Sequence, residues 1–158
     1  MKTATAKEIK TELADYSHQQ LIDLCLRLSQ FKKENKELLS YLLFDATDEE
    51  TYIINIKNEI DELFLTINTA SYYYIKKTVR KILRTLKKYI RYSKNKETEI
   101  EVLLYFCEKL KNLTPSINNN VTLLNLYNRE ITLIKKKITV LHEDLQYDYQ
   151  LELEKLHL

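Results

Sequence analysis

The chain has 158 residues and a net charge of +2, with 44% hydrophobic and 30% charged residues, no glycine, one proline, two cysteines and no tryptophan. Phosphate-cradling glycine loops and the nucleophile elbow need residues that reach positive φ and admit a ligand close to bare backbone, so none occurs here in standard form. The same absence disfavours glycine-dependent hairpins and bulges, and with them a sheet-rich fold.

The opening residues, Met1-Lys2-Thr3-Ala4-Thr5-Ala6-Lys7, lead into charged helix without an apolar signal core, which points to a reducing, cytoplasmic setting. Thr5-Ala6-Lys7-Glu8, Ser17-His18-Gln19-Gln20 and Thr47-Asp48-Glu49-Glu50 each match the capping box, and three helix starts follow. A first helix is expected over 5–16 and a second over 18–32 on Leu21, Leu24, Cys25 and Leu28. A third, over 34–44, rests on Leu38, Leu39, Leu42 and Leu43. Asp45-Ala46-Thr47 turns the chain. A longer helix over 48–69 places Ile53, Ile56, Ile60, Leu63 and Ile67 on one face, and further helices follow over 72–93 and 97–112. Leu113 to Asn120 is the clear loop, where Pro115 and the asparagines supply the turn chemistry. Beyond it, Leu124, Tyr127, Ile131, Ile134, Ile138, Leu141 and Leu145 keep a three-four alternation that suits packing along a partner helix, in the same chain or in a homodimer. An unbroken helix over 121–156 would reach about 54 Å, so a break near His142 is expected. Cys25 and Cys107 both fall on apolar faces and read as two buried thiols. No apolar run approaches the ~18 residues of a membrane span.

Charge is far less even than the net suggests. Residues 1–71 carry 8 basic and 13 acidic side chains, residues 72–96 carry 10 basic and no acidic ones, and residues 97–158 carry 7 and 10. In the middle block Ile75, Val79, Ile82, Leu83, Leu86 and Ile90 form one stripe. Lys76, Lys77, Arg80, Lys81, Arg84, Lys87, Lys88 and Arg91 occupy the opposite arc, with Tyr73 among them and Tyr74 and Tyr92 on the flank. Two readings compete. The face is solvated or neutralised by acidic stretches of the same chain (Asp45 to Glu50, Glu59 to Glu62, Glu143 to Glu154), or it meets an acidic protein or a nucleic acid.

Catalytic constellations are thin, and no cofactor is implied. His142-Glu143-Asp144-Leu145-Gln146 resembles the start of a zincin motif but lacks the second histidine at i+4. Asp144 and Asp148 share a face at i, i+4, where like charges repel, and with His142 they form the one candidate enzyme or metal site.

Ile9-Lys10-Thr11-Glu12-Leu13-Ala14-Asp15-Tyr16-Ser17-His18-Gln19-Gln20-Leu21-Ile22-Asp23-Leu24, followed by Asn35-Lys36-Glu37-Leu38-Leu39-Ser40-Tyr41-Leu42, resembles the opening of small all-helical bacterial families of no assigned activity. The same helix, cap and helix, over 5–30, is similar to a SAP-type DNA-binding motif. It departs from that motif in lacking a turn glycine and in carrying Asp15 and Asp23.

The expectation is one all-α domain over 1–158, with six to eight helices stacked as antiparallel hairpins into a short HEAT- or armadillo-like superhelix or an irregular bundle. Its expected role is that of a non-enzymatic interaction or scaffold module. The helix over 72–93 would present Lys76, Lys77, Arg80, Lys81, Arg84, Lys87, Lys88, Arg91, Tyr73 and Tyr92 to an acidic protein partner, or alternatively to nucleic acid.

Overall fold

The computed structural model describes residues 1–157 and is all-helical, with no strand among them. Eight α-helices follow in order: α1 (Ala6–Ala14), α2 (His18–Phe31), α3 (Lys33–Ser40), α4 (Glu49–Leu65), α5 (Tyr72–Ser93), α6 (Lys96–Lys111), α7 (Val121–Ile138) and α8 (Glu143–Glu154). A π-helical turn occupies Tyr41–Asp45, and a 3-10 turn Ile117–Asn119. No helix among the described residues is long and apolar enough to cross a membrane.

Side-chain caps open six of the eight helices, all but α3 and α5. Thr5 and Ser17 close full capping boxes with Glu8 and Gln20. The third expected box does not form: Asp48, not Thr47, is the N-cap of α4, its Oδ1 accepting from the Thr51 amide at 3.1 Å. Asn95 and Asn120 cap α6 and α7 through their own side-chain oxygens. At the end of α5, where glycine is the usual residue, Lys94 takes the left-handed conformation at φ 55° and its amide donates to the Ile90 carbonyl at 2.9 Å.

The packing resolves into two compact units, Met1–Phe44 and Asp45–Leu158. In the second unit α6 is the hub, touching α4, α5, α7 and α8. The principal contacts join helices one or two places apart in the chain, a pattern that stacked antiparallel hairpins share with an irregular bundle. The hub position explains why α6 is buried almost all round, through Thr98, Ile100, Val102, Leu103, Leu104, Phe106, Cys107 and Leu110. Ile56 and Ile60 of α4, the whole predicted stripe of α5, and Leu123, Tyr127, Ile134 and Ile138 of α7 complete this core. The expected break near His142 lies between α7 and α8, at 139–142. The heptad seam packs in part within the chain: Tyr127, Ile134 and Ile138 are buried, and Leu124, Ile131, Leu141 and Leu145 half-buried. A three-four alternation serves an in-chain neighbour as well as it serves a coiled coil.

The first unit is different in kind. Helices α2 and α3 pack together around Lys32, which ends one and begins the other, and the Asn35 side chain donates to the Leu28 carbonyl at 2.8 Å across the corner. Yet no residue of α1, α2 or α3 is buried. Tyr41 is the one buried side chain of residues 1–44. Cys25 is accordingly exposed, which corrects the expectation of two buried thiols; Cys107 alone is buried. Periodicity gave Cys25 an apolar face, of which Leu21 and Leu24 are half-buried while Cys25 stays exposed.

Candidate interaction surface

Helix α5 is held from below and left open above. Its six aliphatic stripe residues are all buried, and its tyrosines anchor it sideways: the Tyr72 hydroxyl donates to the Ser116 carbonyl at 2.7 Å, and Tyr89 to Glu59 Oε1 at 2.9 Å. Most of the opposite arc then faces solvent. At about 100° per residue, Tyr73, Arg80, Arg84 and Arg91 fall within about 40° of one another, and Lys77 to Arg91 spans about 21 Å of helix.

Lys77, Arg80, Lys81, Arg84 and Arg91 are exposed, and Lys76 is half-buried. None of these six has a carboxylate within ion-pair distance among the described residues. Three carboxylates of the acidic stretches are bound to groups other than these six cations: Glu49 accepts hydrogen bonds from Ser93 and Thr98, Asp61 holds Lys109 at 2.7 Å, and Glu152 holds Lys155 at 2.7 Å. Helix α8 packs on α6 and α7.

Two of the expected cations behave differently. Lys88 Nζ sits 5.2 Å from the centre of the Tyr89 ring. Lys87 Nζ lies 2.9 Å from Oε1 of Glu130, whose side chain is 1% exposed; Arg129 Nε approaches the same oxygen at 3.4 Å, and Glu130 Oε2 is buried without a hydrogen-bond donor among the described residues. Lys87 is thus partly structural, and Arg129, 69% exposed on α7, joins the basic surface beside it. Sequence reasoning missed this pair. Its signal was a carboxylate three residues after Tyr127 and four before Ile134, on the buried stripe of α7.

Tyr73 is 67% exposed and Tyr74 47%, their rings edge-to-face at 5.4 Å. Tyr92 is half-buried and leans on Tyr89, with ring centres 6.2 Å apart. The aromatic element of the surface therefore lies at the N-terminal end of α5, whose first turn holds no acidic residue.

His142 is the N-cap of α8. Its Nδ1 is 3.4 Å from the Asp144 amide and 3.6 Å from Asp144 Oδ2, with both side chains at the surface, and Asp148 is not brought to them. No grouping of three His, Cys, Asp or Glu able to hold a metal occurs among the described residues.

A cleft of about 510 Å³ lies elsewhere, lined by Lys57, Glu101, Tyr105, Tyr149, Glu152 and Lys155 among others. Its charges are satisfied internally: Lys57 Nζ and Tyr149 Oη each lie 3.2 Å from a Glu101 oxygen, and Lys111 donates to the carbonyls of Lys155 and His157. Burial and the Glu101 carboxylate push the Tyr149 hydroxyl well above its ordinary range, so it stays protonated as a structural donor.

Compared with known proteins, the chain matches no family model, no curated protein and no solved structure.

Proposed function

We propose that the protein is a non-enzymatic interaction module whose α5 presents a ridge of unpaired cations to an acidic protein surface. One observation carries this reading: Lys76, Lys77, Arg80, Lys81, Arg84 and Arg91 have no carboxylate partner on a helix whose other face is fully engaged in the core. The ridge has an internal cost. Lys76 and Arg80, Lys77 and Lys81, Arg80 and Arg84, Arg84 and Lys88, and Lys87 and Arg91 are like charges at i, i+4. At roughly 0.2–0.5 kcal/mol each, these five pairs together disfavour the helix by about 1–2.5 kcal/mol at low salt. An acidic partner removes that repulsion as it binds, which adds to the direct attraction.

Nucleic acid is the second reading, favoured by the exposed Tyr73 and Tyr74 rings at one end of the ridge, where bases could stack. Fluorescence anisotropy with a labelled glutamate-rich peptide and a labelled random single-stranded oligonucleotide separates the two. Peptide binding that weakens at least tenfold in the Arg80→Glu/Arg84→Glu variant is the expected result. Preference for the oligonucleotide, with a log-log salt slope near −4 for about six neutralised phosphates, would transfer the function to the second reading. Absence of binding by either probe at about 50 mM salt would refute both.

A further inference from the structure

Helix α2 carries more apolar surface than α3 can cover. With about 100° between successive residues, Leu21, Ile22, Leu24, Cys25, Leu26, Leu28 and Phe31 sweep about 220° of its circumference. One neighbouring helix covers only a sector of such an arc, and helices that are apolar most of the way round are normally enclosed. Here Ile22, Leu26, Leu28 and Phe31 remain 39%, 51%, 55% and 76% exposed, and Leu42, Leu43 and Phe44 remain 56%, 62% and 75% exposed. Together these amount to roughly four whole side chains, on the order of 600–800 Å² at about 150–200 Å² each. Ile22 and Leu26 lie on one side of α2 and Leu28 and Phe31 on the other, so a single interface takes up about half of this area, on the order of 300–450 Å². That is the size of apolar patch that marks an interaction surface, and about half the ~800 Å² each partner contributes to a standard interface.

The unit that carries this surface has little internal means of holding itself. Its three helices are 9, 14 and 8 residues long, around or below the length at which a helix persists alone, and they bury no residue. A chain segment near 40 residues without a core ordinarily depends on a staple, a metal or oligomerisation. This one has neither disulfide nor metal cluster among the described residues.

Charge selects the occupant. Residues 1–44 hold 7 basic and 6 acidic side chains, interspersed along the sequence, so two copies meet without net repulsion and nothing steers a strongly charged partner there. A helical hairpin with an apolar outer face is also complementary to itself. A two-fold axis places the same face on both sides and closes two hairpins into a four-helix arrangement. We infer that the protein is a homodimer joined through the α2–α3 unit, with Ile22, Leu26, Leu43 and Phe44 at the interface.

Light scattering on the full chain should give twice the 19.0 kDa of one copy. Leu26→Glu and Leu43→Glu should each return it to 19.0 kDa with helicity retained, while Arg84→Glu leaves the dimer intact. A wild-type mass of one copy overturns the proposal, and so does a dimer that survives both glutamate variants or is dissociated by Arg84→Glu. Should either glutamate variant misfold, lysine cross-linking of a mixture of isotopically heavy and light wild-type chains decides. Heavy-to-light links among Lys32, Lys33 and Lys36 support the interface, and links confined to residues 45–158 overturn it.

Discussion

Lys87→Ala removes the ammonium that lies 2.9 Å from Glu130 Oε1 and leaves a carboxylate that is 1% exposed. Taking one partner from a fully buried ion pair costs about 3–5 kcal/mol. Lys87 is not fully buried, since its side chain is 40% exposed, and Arg129 Nε remains 3.4 Å from the same oxygen. The expected loss is therefore smaller, about 2–3 kcal/mol, which for a unit of this size lowers the melting midpoint by roughly 6–15 °C. Urea unfolding at neutral pH, followed by circular dichroism, measures it directly. The double variant Lys87→Ala/Glu130→Leu supplies the control. It takes away the orphaned charge and fills its volume with apolar atoms, so stability should return to within about 1 kcal/mol of the parent. A loss below about 0.5 kcal/mol for Lys87→Ala would mean that the pair behaves as an ordinary surface contact, and the reasoning would fail. It would fail equally if the double variant were no more stable than the single one. The result also bears on the choice of mutants for binding. Lys87 lies within the ridge by sequence, but replacing it perturbs the core, whereas Arg80 and Arg84 test binding alone.

Burial, reinforced by the Glu130 carboxylate, pushes the Cys107 thiol from its ordinary 9.0 up to about 12. The folded state disfavours the thiolate, so this contribution is whole below pH 9 and is lost between about pH 9 and 12, at about 1.4 kcal/mol per pH unit. Cys107→Ala should flatten the fall in stability over that window, as read by urea midpoints, and an unchanged slope would contradict the assignment. Lys94 holds a left-handed backbone that costs a non-glycine residue about 1–2 kcal/mol, and the added freedom of the unfolded glycine chain takes back about 0.5–1 kcal/mol, so Lys94→Gly should raise stability by about 0.5–1 kcal/mol. A lower midpoint for that variant would show that the Lys94 side chain contributes something its backbone conformation does not reveal.

The bounds of α5 were legible to the residue because two signals coincide: a six-member stripe at unbroken helical spacing, and polar breaks on both sides at 68–71 and 94–95. The π turn was not legible. Tyr41-Leu42-Leu43-Phe44 continues an apolar run, and no residue there distinguishes a widened turn from another turn of α-helix. Asp48 and Thr47 are both competent caps, so the choice between them rests on backbone geometry that sequence does not carry. Exposure of Cys25 was hidden for a deeper reason. Periodicity identifies a face that ought to be covered, but not whether the covering comes from the same chain. Glu130 was overlooked because a single carboxylate among ten in the C-terminal third attracts no notice until its position on the buried stripe is plotted.

The two unmatched surfaces of this protein select different partners by different forces. The surplus of apolar area lies in residues 1–44, which are nearly neutral, and the surplus of charge in residues 72–96, which hold 10 basic and no acidic side chains. Two apolar hairpins attract each other whatever the salt concentration, whereas two cationic ridges repel, most strongly at low salt. Self-association through the ridge is thereby disfavoured. A dimer formed through the hairpin carries two ridges on one particle. Against a multivalent acidic partner the second contact becomes intramolecular, and avidity can exceed the affinity of a single ridge by 10² or more (roughly) where geometry permits both to engage. Leu26→Glu should then weaken binding to a surface bearing many acidic sites far more than binding to a single acidic peptide. Equal weakening in the two formats would mean that the hairpin and the ridge do not cooperate in this way.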